Sequence, residues 1–138
     1  MGDIESMFYQ VKKQRRYVQF LWWEDGGTQR EVQAYEMCAH LFGGTSSPSC
    51  ANYALRKAAT DGEGKFGKDA ATTLRRSFYV DDMLKSTCDP VKTVELISNT
   101  RQMCNEGGFK LTKIVSNSRM VNESELSWRT TKRPCAQS

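Results

Sequence analysis

With 138 residues, 20 Lys and Arg against 16 Asp and Glu, and a net charge of +4, the chain has room for one compact domain. It is too short for the two or three subdomains of most nucleic-acid-processing enzymes. The mildly basic balance, pI near 8.8, is compatible with a polyanionic partner without demanding one. No apolar stretch approaches the roughly 20 residues that cross a bilayer, and the first residues lack a signal-peptide segment, so the chain reads as soluble and not membrane-bound.

Five scattered cysteines, Cys38, Cys50, Cys88, Cys104 and Cys135, have no C-x-x-C spacing, and the single His40 cannot complete a zinc site with them. They read as reduced thiols of an intracellular protein. The Asn122-Glu-Ser124 triplet then reads as chance rather than a glycosylation acceptor.

In chain order, Met1 to Val11 reads as a strand, followed by a charged turn over Lys12-Lys-Gln-Arg-Arg16. Tyr17 to Trp23 is rich in β-branched and aromatic residues, and Glu24-Asp-Gly-Gly27 supplies turn chemistry. Tyr35, Met37, Ala39 and Leu41 alternate on the way back, which predicts a β-hairpin. Ser47 followed by Pro48 has the pattern of an N-cap with proline at the first helical position, predicting a helix to about Ala59. Asp61-Gly-Glu-Gly-Lys-Phe-Gly67 is expected to break that helix into a surface loop, before a short helix over 68–76.

Asp89-Pro90 repeats the cap pattern. Val94, Ile97 and Cys104 mark one helical face, and Gly107-Gly108 can supply a left-handed stop. Phe109 to Val115 alternates like a strand, and the polar tail from Asn117, with Leu126 and Trp128 as its apolar anchors, is expected to be poorly ordered. The order predicts an α+β domain: an antiparallel sheet with helices packed on one face.

The chemistry concentrates at Ser77-Phe-Tyr-Val-Asp-Asp-Met-Leu84, a tight apolar hairpin carrying two adjacent aspartates. A turn built only for stability favours Asn-Gly or Asp-Gly, and neighbouring carboxylates repel. A divalent cation would offset that cost, and carboxylates select Mg²⁺ or Mn²⁺ over softer metals. Asp3, a carboxylate in an otherwise apolar strand, is the best third ligand if a sheet sets its strand beside the hairpin.

These segments stand in a familiar order: Asp3-Ile-Glu-Ser-Met-Phe-Tyr-Gln-Val11, Phe20-Leu-Trp-Trp-Glu-Asp25, His40-Leu-Phe-Gly-Gly-Thr-Ser-Ser-Pro-Ser-Cys-Ala-Asn52, Phe78-Tyr-Val-Asp-Asp82, and Gly108-Phe-Lys-Leu-Thr-Lys113 with Val115-Ser-Asn117. The set resembles the palm of a reverse transcriptase, most closely that of BEL/Pao long-terminal-repeat retrotransposons, over residues 1–120, leaving 121–138 as the polar tail.

The resemblance implies RNA-directed DNA polymerase chemistry: a dNTP joined to a primer 3′-hydroxyl on an RNA or DNA template, with two Mg²⁺ ions, or Mn²⁺ in their place. Asp3, Asp81, Asp82 and the Ile4 carbonyl would hold the metals, and Lys113 would donate a proton to pyrophosphate. Ser6 and Met7 amides would face the phosphates, Phe8 would exclude a 2′-hydroxyl, and Phe42 and Gly43 would line the base pocket. Many retroviral relatives carry glutamine where this chain has Phe42.

Val80 and Tyr79 would meet the primer terminus and backbone, and Lys12, Lys13, Arg15 and Arg16 could touch template or primer phosphates. Plainer readings stand beside these: Phe8 as a core ring, Lys113 as a solvated edge lysine, and the basic cluster as a solvated turn. The resemblance further implies an incomplete polymerase, lacking fingers and thumb, whose partners are the rest of a pol polyprotein with RNase H and integrase. Asp3 would then sit on a fraying end, and the competing expectation is an inactive remnant that binds nucleic acid weakly. An RNA-dependent RNA polymerase palm is disfavoured, because its hairpin more typically reads Gly-Asp-Asp and its pocket lacks an aromatic gate.

Overall fold

The computed structural model describes residues 1–11, 19–40 and 43–131. The elements are β1 (Gly2–Ile4), α1 (Met7–Gln10), β2 (Gln19–Trp23), β3 (Val32–Glu36), α2 (Ser47–Phe66), α3 (Lys68–Arg76), β4 (Phe78–Tyr79), β5 (Asp82–Met83), α4 (Pro90–Glu106), β6 (Leu111–Thr112) and α5 (Arg119–Thr131). The fold is α+β. Its main sheet has the order β4-β5-β1-β6 with every neighbour antiparallel, and β2 and β3 form a separate two-stranded sheet.

The strand order follows a split β-α-β pattern. β1 lies between β5 and β6, so each strand-helix-strand unit has a strand of the other unit inserted between its two strands. Met1 extends β1, its carbonyl accepting from Val115 N–H at 2.9 Å. The expectation of a fraying Asp3 is therefore corrected: its strand is hydrogen-bonded on both sides.

One row across the sheet runs Tyr79, Asp82, Asp3, Thr112. Because side chains alternate faces along a strand, this row lies on one face, while Ile4, Met83 and Leu111 point to the other and are buried. That second face packs on the helices, in a core with Leu55 of α2, Leu74 of α3 and Ile97, Met103 and Cys104 of α4. Helices thus cover one face of the sheet, and the aspartate row is left on the other.

Local departures from the sequence reading have identifiable causes. The first strand ends at Ile4 because Ser6 takes a left-handed conformation (φ 52°) and starts α1, which buries Met7 and Phe8. In the two-stranded sheet the returning strand is Val32–Glu36 rather than the segment from Tyr35 to Leu41, and Tyr35 stacks on Phe20 at 5.7 Å. Tyr17, Val18 and Leu41 lie outside the described residues.

The first long helix runs through the glycine-rich segment expected to be a loop. Gly62 is buried there, and a Cβ on it would come within 2.8 Å of Met103 Cγ, so glycine is what lets α2 and α4 approach. Ion pairs of Lys57 with Asp61 and of Lys65 with Glu106 brace the same stretch. Ser47 does not cap this helix: its hydroxyl instead bonds buried His40 Nδ1 at 3.2 Å.

The second cap behaves as the sequence suggests. Asp89 accepts from Val91 N–H at 2.9 Å, and Gly108 takes φ 82° after α4. The strand expected over Phe109 to Val115 shrinks to two residues. Lys113, at φ 52°, resets the alternation, so that Ile114 returns to the core where a regular strand would have turned it outward.

Within the tail expected to be poorly ordered, 119–131 form helix α5, and 132–138 lie outside the described residues. Val121 is buried, and Glu125 pairs with Arg101 of α4, both side chains 7–8% exposed. The Arg101 guanidinium also lies 3.8 Å from the centre of the Trp128 ring. Of the two expected anchors Trp128 is engaged, whereas Leu126 is exposed.

Cys38, Cys50, Cys88 and Cys104 are free thiols. Burial pushes the Cys104 thiol up to about 12. Cys135 lies outside the described residues. Among the described residues no helix is long and apolar enough to cross a membrane.

Candidate functional site

The hairpin β4–β5 pairs Phe78 with Met83 and Tyr79 with Asp82, leaving Val80 and Asp81 as a two-residue turn. Val80 has φ 56° at the first central position, where glycine is the usual occupant. A β-branched residue there is a genuine outlier, and such strain costs about 1–3 kcal/mol. The turn is tied to the neighbouring strand, since Ile4 N–H donates to the Asp81 carbonyl at 2.9 Å. Asp81 therefore sits in the turn, and Asp82 is the first residue of β5.

Of the two hairpin aspartates, Asp82 meets Asp3 by register, whereas Asp81 in the turn lies opposite Ile4. Asp3 and Asp82 are directly opposite on neighbouring antiparallel strands, where like charges destabilise each other. On the other side of β1, Lys113 Nζ lies 2.9 Å from Asp3 Oδ2. The hydrogen bond and charge of Asp3 hold the Lys113 ammonium above its ordinary lysine value, with Glu5 and Asp81 adding to the effect. Lys110 pairs with Glu5 at 2.6 Å beside this group.

Four non-glycine residues among those described have positive φ: Ser6, Asp25, Val80 and Lys113. Three of the four flank the aspartates, one after Asp3, one before Asp81 and one paired with Asp3. Strained backbone gathers at functional sites when surrounding structure over-determines it.

The remaining expected residues divide clearly. Tyr79 is 83% exposed beside Asp82 on the open face, and Val80 is half-buried against the core. Ser6 is exposed, Gly43 is exposed with φ 80°, and Ile4 and Met7 are buried. Phe8 is 6% exposed within the core, as in the plainer reading of that ring. Lys12, Lys13, Arg15, Arg16 and Phe42 lie outside the described residues.

Thr112 completes the open-face row beside Asp3, and its hydroxyl donates to the Asp3 carbonyl at 3.3 Å. Sequence reading passed over it, although alternation with buried Leu111 was signal enough to place it on the face opposite the core.

The donor chemistry here fits a hard divalent cation: only carboxylates, on adjoining strands, with no soft ligand among them. Among the described residues, no three His, Cys, Asp or Glu side chains already stand in ligand geometry; as placed, Asp3 is engaged by Lys113. No family model matches this chain, and comparison with curated proteins and with solved structures finds no match.

Proposed function

We propose that the aspartate row is a two-metal nucleotidyl-transfer site of the reverse-transcriptase palm type, extending a primer with deoxynucleotides. The observation that carries this reading is the register: Asp3 stands opposite Asp82, with Asp81 held in a left-handed turn docked on the same strand. Two stretches far apart in the sequence thus bring Asp3 and Asp82 together on the face of the sheet away from the helices, with Asp81 in the adjoining turn.

In this reading Asp3, Asp81 and Asp82 hold two Mg²⁺ ions, which when bound supply charge neutralisation to the phosphates and an acidified primer hydroxyl. The Ile4 carbonyl is a further ligand. Tyr79, standing free on the open face, offers a ring and hydroxyl to the primer-template backbone, and Val80 supports the primer terminus. In the same reading Lys113 would give a proton to departing pyrophosphate. The backbone amides of Ser6 and Met7, with Gly43, would belong to the nucleotide side of the site.

Primer extension on a homopolymer template with Mg²⁺ tests the reading. Wild-type chain is expected to incorporate deoxynucleotides, and Asp81→Asn to lose at least about a hundredfold in rate, the order seen when one charge-stabilising group is removed. Equal signals from the two proteins sink the enzyme reading and leave a nucleic-acid-binding module without activity.

A further inference from the structure

Resting on the two-metal reading above, we infer that Lys113 is a built-in counterion of the aspartate site, which holds the place of positive charge beside Asp3 and withdraws when a divalent cation binds. The inference starts from an asymmetry within the pair. Asp3 lies in the middle of the sheet with a side chain 23% exposed, whereas the Lys113 side chain is 76% exposed on a long flexible stem. The lysine is the partner free to move.

Its orientation is imposed by the backbone. Regular alternation after buried Phe109 and Leu111 would turn residue 113 toward the core, and the left-handed conformation of Lys113 turns it outward instead. A lysine in that region carries a conformational cost that glycine would avoid. The local chain thus maintains an ammonium at 2.9 Å from Asp3 against its own preference.

The charge balance explains the use of such an ammonium. Asp3 faces Asp82 across the strands, so the site without a cation contains repelling neighbours. One ammonium offsets part of that repulsion. A dication taking the same Asp3 oxygen would face the ammonium at close range, and two positive centres a few ångströms apart repel strongly. Metal and lysine therefore compete for one carboxylate.

Lys110 provides an internal control. It lies three residues away along the same segment, carries the same charge and pairs with Glu5 rather than Asp3. Removing its charge changes the general field and leaves the Asp3 contact intact.

Mn²⁺ binding to the full chain, followed by the electron paramagnetic resonance of free Mn²⁺, tests the inference. Lys113→Gln is expected to tighten Mn²⁺ binding about three- to fivefold, the scale of an exposed ion pair, while Lys110→Gln shifts it by less than about twofold. In wild-type protein, Mg²⁺ titration should also move the side-chain ammonium resonance of Lys113 toward that of a free lysine, a readout that needs no variant. Unchanged or weaker Mn²⁺ binding by Lys113→Gln, with wild type binding normally, overturns the counterion role and leaves the two-metal reading standing. Absence of Mn²⁺ binding in all three proteins at millimolar metal overturns both.

Discussion

The main sheet and the β2–β3 ribbon are made from similarly apolar sequence and meet opposite fates. In the main sheet, Ile4, Met83 and Leu111 are buried, and polar residues occupy the face that remains open. In the ribbon, Phe20, Leu21, Trp22 and Val32 are exposed at 43–68%. The ribbon's internal support is the Phe20–Tyr35 stack and the edge contact of Trp22 with Trp23 at 5.6 Å. An isolated two-stranded hairpin is marginal in water, so apolar residues give a strand its shape but only an opposing layer gives them burial. The difference between the two regions is the helical layer of α2, α3 and α4, which among the described residues builds its core on the main sheet.

That difference makes graded predictions. The largest effect is expected where the helical layer is locked from behind. Glu125→Ala strands the Arg101 guanidinium in a buried position and should cost about 3–5 kcal/mol in urea unfolding, the usual penalty for breaking a buried pair. A loss below 1 kcal/mol would show that α5 contributes little to the layer. At the site, Val80→Gly removes a strained φ and a half-buried side chain together. Those effects oppose each other, and the net change should stay within about 1 kcal/mol by chemical denaturation. A loss above 2 kcal/mol would mean that the turn is not left-handed at residue 80. The smallest effect belongs to the ribbon: Leu21→Thr, on an exposed strand, should alter stability by no more than about 0.5 kcal/mol, and a larger loss would reveal burial against another part of the molecule.

Much of the fold was legible where local rules dominate. Asp89 before Pro90, the apolar stripe of Val94, Ile97 and Cys104, and the glycine stop at Gly108 describe α4 closely, because caps and helical spacing act within a few residues. The glycine-rich end of α2 misled, since Gly62 serves an approach to Met103, 41 residues away, that no local pattern encodes. The tail misled for a similar reason: its polar Glu125 is buried because Arg101 awaits it on another helix.

At the candidate site the residue types were readable and the geometry only in part. The pair Asp81-Asp82 stood out at once because adjacent carboxylates in a tight hairpin repel each other. Its link to Asp3 could be expected from β-strand patterning. That Asp3 would face Asp82 rather than Asp81, and that Lys113 would reach the same carboxylate, depended on register and on one left-handed residue.

By itself, then, the sequence determined which side chains this protein can use: carboxylates in a hairpin, a lone acid in an apolar strand, a lysine after an alternating run, and helices bounded by proline caps and glycine stops. These follow from short-range sterics, capping and hydrogen-bond chemistry. Tertiary structure decided which of them meet. Antiparallel pairing placed β1 between β5 and β6, the helices took the apolar face, and Asp3 and Asp82 were left together on the other with Lys113 beside them. Pairing of strands about 80 to 110 residues apart is set by burying one continuous core, a property of the whole chain that none of its segments carries alone.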